Sequence, residues 1–149
     1  MSALSNNNSV LLIVEDDIDD YLLLSEVITD EMGKVKINWV KDGEDCLDYL
    51  NHNDKYSSEV DSPTPDLIFL DLNLPIIGGM EVLDAMHGAD ELKKIPVIVF
   101  STSNDRNDII NSYNKGANSY ISKPNDYESY KDIAKMIHNY WFNYVKLPA

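Results

Sequence analysis

Leu67 to Leu70 are four apolar residues in a row, closed off by Pro63 and Pro65 on one side and by Pro75 and Gly78-Gly79 on the other. A run of that length between turn residues suits a β-strand buried on both faces, which is the usual state of a strand in a parallel sheet. Asp71 follows the last apolar residue directly. In a parallel sheet that position is the carboxyl edge, where open α/β folds bind ligands. An acidic residue there can also do no more than end the strand, so its meaning depends on what other strands deliver to the same edge.

The remaining chain repeats the pattern. Val10 to Val14 is an apolar run followed at once by Glu15-Asp16-Asp17. Ile18 to Met32 has helical spacing, with Tyr21, Leu24, Ile28 and Met32 on one face, Asp17 or Asp19 placed to cap its start and Gly33 to end it. Val35 to Val40 alternates, as expected of a half-exposed edge strand, and Asp42-Gly43 opens a helix through Cys46, Leu47 and Leu50. His52 to Pro65 has no apolar periodicity and predicts a long exposed loop, kept extended by its prolines as it enters the central strand. Met80, Leu83 and Met86 mark a helix ending near Gly88; Pro96 then introduces the strand Val97 to Phe100, which gives way to Ser101-Thr102-Ser103. Asp105 can cap a fourth helix through Ile109, Ile110 and Tyr113, closed by Gly116. Ser119 to Ile121 is a short strand leading into Ser122, Lys123 and Pro124, and Asn125 or Asp126 starts a final helix to about Tyr144. Five strand–helix units in strict alternation predict one α/β domain over 10–149, a parallel sheet covered on both faces, behind a flexible polar tail at 1–9.

Composition narrows the function. Twelve basic against 26 acidic residues give a net charge of −14, which repels nucleic acid and anionic membrane, so neither is expected as a partner. No apolar run approaches the roughly 18 residues of a membrane span, and Met1 to Ser9 lacks the regions of a signal peptide; the cytoplasm is the expected compartment. Over these 149 residues no separate output domain is expected. The single cysteine, Cys46, excludes an internal disulfide and is expected in the core, while His52, His87 and His138 lack metal-ligand spacing.

On the carboxyl edge the strands place Glu15 and Asp16, Asp71, Ser101 and Lys123. If the first and third strands are neighbours, Asp16 and Asp71 meet at the switch point of the sheet. Converging carboxylates repel one another and call for a hard cation; oxygen ligands with room left for water and phosphate fit Mg²⁺. Asp71 can then act as a nucleophile towards phosphorus, forming an acyl phosphate. Lys123, the Ser101 hydroxyl and the cation would balance the charge on the transferred group.

These marks, in this order, resemble those of a response-regulator receiver domain, over nearly the whole chain from Val10. The resemblance implies a doubly wound, flavodoxin-like five-stranded sheet of order 2-1-3-4-5. It implies Asp71 as phosphoacceptor for a histidine kinase, with no turnover of an external substrate. Mg²⁺ would be held by Asp16, Asp71, the Asn73 carbonyl and, through water, Glu15. Ser101 and Lys123 would contact the phosphoryl group, Ser101 and Tyr120 would form the switch, and the Lys123-Pro124 bond would be cis. The long loop before Asp66, the absent output domain and the Tyr-Trp-Phe terminal helix with Leu147-Pro148 resemble, more narrowly, the small regulators that partner phytochrome-type histidine kinases. Two other readings share part of the pattern. A haloacid-dehalogenase-type phosphatase would carry its nucleophile on the first strand, with a second acid two residues on, where this chain has Asn73. A receiver-like module that binds partners without phosphate would have no need of Asp16, Asp71 and Lys123.

The terminal helix adds one expectation. Ile133, Ile137, Trp141 and Tyr144 form a stripe expected to pack on the sheet. Tyr130, Ala134, His138 and Phe142 form a neighbouring apolar face, expected to be covered by a second copy in a homodimer.

Overall fold

A computed structural model describes residues 9–148. The elements follow in strict alternation: β1 (Val10–Val14), α1 (Ile18–Met32), β2 (Lys36–Val40), α2 (Gly43–Leu50), β3 (Leu67–Leu70), α3 (Gly79–His87), β4 (Val97–Ser101), α4 (Arg106–Asn114), β5 (Ser119–Ser122) and α5 (Tyr127–Met136). All strand pairs are parallel and the order is β2-β1-β3-β4-β5. The fold is the doubly wound, flavodoxin-like one. Of the tail expected over 1–9, only Ser9 lies within the described residues; it is buried, and its carbonyl accepts from the Lys36 N–H.

Strand alternation divides the core in two. Leu12, Val14, Ile68, Leu70, Val97 and Val99 face Cys46, Tyr49, Val82 and Met86 of α2 and α3. Leu11, Ile13, Leu67, Phe69, Ile98 and Phe100 face Leu24, Val27 and Ile28 of α1 and Tyr130, Ala134 and Ile137 from the last helix. Cys46 is fully buried, as expected, and burial pushes its thiol up to about 12, so it is inert. Helix ends follow the sequence signals: Asp17, Asp42, Asp105 and Asp126 each accept a backbone N–H of the first turn, and Gly33 ends α1 with φ of +74°. The segment before β3 is exposed for most of its length but tied down, with Lys36 Nζ on the Val60 carbonyl (3.1 Å) and Tyr49 Oη on that of Pro63 (2.8 Å).

Two expectations fail. The face carrying Phe142 is not free: Tyr130, Ala134 and Phe142 are buried within the monomer, whereas Tyr144, expected against the sheet, is 79 % exposed. Tyr130 and Ala134 already face inward on α5, and for Phe142 the cause is a change of helical period. Beyond Met136 the chain continues as a π-helix (Ile137–Tyr144), and its wider turn brings Phe142, five residues after Ile137, onto the buried side. Elsewhere, α4 buries Ser112 alone, and Ile110 and Tyr113 lie open. The second failure is the Lys123-Pro124 bond: no described peptide bond is cis, so it is trans, the lower-energy isomer of an X-Pro bond.

Candidate functional site

The pairing of β1 with β3 sets Val14 beside Leu70, so the residues that follow each strand meet at the same edge. Glu15, Asp16 and Asp71 each offer a carboxylate oxygen within 4.8 Å of the others, Glu15 and Asp71 buried and Asp16 exposed. Three converging acids with one face open to water are an all-oxygen donor set that fits a hard divalent cation.

Lys123 reaches this cluster from the β5–α5 connection. Its main-chain N–H is held by the Ser101 carbonyl at 2.8 Å, which fixes where the side chain leaves the sheet. Its ammonium is almost wholly buried and lies 2.7 Å from Glu15 Oε1, 2.9 Å from Asp20 Oδ2 and 3.0 Å from Asp71 Oδ2. Burial works against that charge, but hydrogen bonds to Glu15 and Asp20 and the charge of Asp71 outweigh it, and the lysine pKa lies above its ordinary value. Glu15 is shifted upward too, which for an acid disfavours the charged form. Burial raises its pKa to about 7, with Asp71 adding to the rise and the Lys123 hydrogen bond opposing it. Its second oxygen accepts the Asp17 N–H at 3.2 Å.

The Asp71 carboxylate is oriented from both sides. Oδ2 meets Lys123 and Oδ1 accepts the Asn73 N–H at 3.2 Å. The loop after Asp71 is fixed by two glycines: a Cβ on Gly79 would collide with the Asp71 carbonyl, and one on Gly43 with that of Ile77. Asn73 is exposed and joins the cluster through its main chain. Ser101 is fully buried, its Oγ accepting the Ser103 N–H at 3.3 Å. Tyr120 lies on the edge strand β5. Its hydroxyl donates to the Ser103 carbonyl at 2.9 Å, so Ser101 and Tyr120 are joined through one residue of the β4–α4 loop.

Two residues of the site had not been singled out. Asp20, in the first turn of α1, reads in sequence as a helix-start acid, and its partner lies 103 positions away. Trp39 donates its indole N–H to the Glu15 carbonyl at 2.7 Å, with Tyr21 stacked flat on its ring at 4.0 Å and Lys41 Nζ 4.8 Å from its centroid. A local signal existed for neither. The histidines stay outside: His52 and His138 each lie near a glutamate, Glu59 and Glu31.

Comparison with known proteins identifies the family. Residues 11–135 match the family model of the response regulator receiver domain. Over the whole chain the sequence is 38 % identical to response regulator Rcp1 of Synechocystis sp., covering 99 % of that protein. Among solved structures, the Mn²⁺-bound form of Rcp1 superposes with a TM-score of 0.86 at 35 % identity. The phosphorylated cyanobacterial phytochrome response regulator RcpA does so with 0.89 at 34 %. Each covers 95 % of this chain and 99 % of its own. With a family model matched over most of its length and a relative similar from end to end, the chain is a member of the response-regulator receiver family.

Proposed function

We propose that this protein is a single-domain response regulator that takes a phosphoryl group from a histidine kinase onto Asp71 and signals through a change of partner surface. The observation that carries the proposal is the buried Lys123 ammonium, set between Asp71 and the acids of a cation cluster. Asp71 Oδ attacks phosphorus, the P–N bond of the donor phosphohistidine breaks, and its electron pair returns to the imidazole nitrogen, leaving an acyl phosphate. Lys123 is placed to follow the phosphoryl oxygens, and the Ser101 hydroxyl to move towards them from its contact with Ser103.

Glu15, Asp16 and Asp71, with the Asn73 carbonyl, would hold Mg²⁺; when bound, the ion offsets the acid charge and that of the transferred group. The phosphorylated and Mn²⁺-bound states of similar proteins support this reading. RcpA's description as a phytochrome response regulator favours a phytochrome-type kinase as donor. Displacement of Ser101 would release the Ser103 loop on which Tyr120 rests, coupling phosphate to α4. Any self-association through the terminal helix would use the exposed Met136, Tyr140 and Tyr144 in place of Phe142. The acidic surface and the absence, among described residues, of a helix able to cross a membrane support a cytosolic partner other than nucleic acid.

The phosphatase reading is set aside: Asp71 follows the third strand and Asn73 stands where a second acid is needed. The test is incubation with Mg²⁺ and acetyl phosphate. One acid-stable, hydroxylamine-labile phosphoryl group should appear, be suppressed by chelation, and be lost in Asp71→Asn. Label surviving in that variant would move the acceptor elsewhere.

A further inference from the structure

We propose that Asp20 is a positioning residue that keeps Lys123 aimed at Asp71 while the other two carboxylates around the lysine are engaged elsewhere. This inference rests on the phosphoacceptor reading of Asp71. Lys123 donates hydrogen bonds to Asp20 and Asp71, at 2.9 and 3.0 Å, and its ammonium forms an ion pair with Glu15 at 2.7 Å. Glu15 and Asp71 belong to the group of acids that converge for a cation, and Asp71 is in addition the nucleophile. Asp20 belongs to neither. It is the partner that Lys123 can keep before, during and after transfer.

The backbone presents Asp20 rigidly. Its N–H donates to Oδ1 of the cap residue Asp17 at 3.1 Å, and the next residue, Tyr21, stacks on Trp39 with an interplanar angle of 4°. Trp39 in turn is bonded to the Glu15 carbonyl, so the turn carrying Asp20 and the strand end carrying Glu15 are tied to the same indole. Lysine, by contrast, is a point charge on a flexible four-carbon stem, and it holds one direction only if its partners hold it. With Glu15 and Asp71 turned to other ligands and Asp20 removed, the ammonium would be buried and unanchored. Its direction towards the reacting oxygens would then be lost.

The experiment compares the wild type, Asp20→Ala, Asp20→Asn, Asp20→Glu, Lys123→Ala and the double variant Asp20→Ala/Lys123→Ala. Each is phosphorylated by acetyl phosphate over a range of donor concentrations, with Mg²⁺ binding measured separately by calorimetry. Asp20→Ala should lower the rate at saturating donor about tenfold, the size of losing one charge-assisted contact. Its half-saturating donor concentration and Mg²⁺ affinity should stay within about twofold of wild type. Asp20→Glu should recover part of the rate, and in the Lys123→Ala background Asp20→Ala should have no further effect. An Asp20→Ala rate within twofold of wild type, an equal loss in both backgrounds, or a parallel loss of Mg²⁺ affinity would each overturn the inference. If Asp20→Ala fails to fold, the same-sized Asp20→Asn carries the comparison, with the same direction expected. A wild type that takes no label at Asp71 overturns the phosphoacceptor reading and this inference together; a wild type that labels beside an unaffected Asp20→Ala overturns this one alone.

Discussion

The helices α4 and α5 precede and follow the same strand, β5, yet they are attached to the molecule very differently. α5 and its π-helical continuation bury Tyr130, Ala134, Ile137 and Phe142 against α1 and the sheet, where Phe100 meets Tyr130 edge to face at 5.8 Å. α4 buries Ser112 alone, and leaves Ile110 44 % and Tyr113 47 % exposed. An element that removes little apolar surface from water costs little to displace, and moving parts of proteins are drawn from that end of the stability range. The division matches the chemistry. Asp20 on α1 and Lys123 just before α5 belong to the firmly packed side, where charges must keep their positions. Ser103 and Tyr120, which meet through a single hydrogen bond, belong to the loosely packed side, where a change can propagate.

The widest gap should appear in unfolding by urea. Phe142→Ala should cost about 3–5 kcal/mol, the range for an aromatic deleted from a packed core. Ile110→Ala should stay within about 0.5 kcal/mol of wild type. Comparable losses in the two variants would break the contrast.

A second test bears on the charges that the firm side sustains. In metal-free protein Glu15 has a pKa of about 7 against an ordinary 4.5, because burial disfavours its anion. Between those values the folded state keeps a proton that the unfolded chain has released. Stability should therefore fall as pH rises from 4.5 to 7 and level off beyond, by about 3 kcal/mol in all for a gap of that size. Urea midpoints recorded against pH in a chelator should show this slope, and Glu15→Gln should flatten it. A slope of the same size in that variant would place the proton elsewhere.

The smallest effect belongs to the loose side. Tyr113 Oη accepts the Tyr120 N–H at 3.1 Å, across an exposed contact. Tyr113→Phe should cost about 0.5–1 kcal/mol and speed hydrogen exchange at the Tyr120 amide, while amides of α5 keep their protection. Protection lost equally in α5 would mean that the two helices open as one unit.

Most of the fold was legible in the chain because its signals are local. An apolar run between prolines and glycines is a buried strand wherever it lies, and Asp17, Asp42, Asp105 and Asp126 cap helices through atoms two or three residues away. Glu15, Asp16, Asp71, Ser101 and Lys123 could be read together because each follows or ends a strand, and parallel strands put such positions on one edge. The trans Lys123-Pro124 bond departs from what the resemblance to a family implied, and no neighbouring residue signals it.

Three features belonged to the tertiary structure alone. Asp20 joins the site through a lysine 103 positions away, and in its own turn it is one acid among several. Trp39 belongs to it through a carbonyl on the adjacent strand. Phe142 is buried because the last helix widens to a π turn, which moves every later side chain off the phase that a 3.6-residue period assigns. The sequence determines what each segment is, since backbone preference and side-chain period act over a few residues; which distant charge or ring a side chain meets is decided when the helices dock, since that contact exists only in three dimensions.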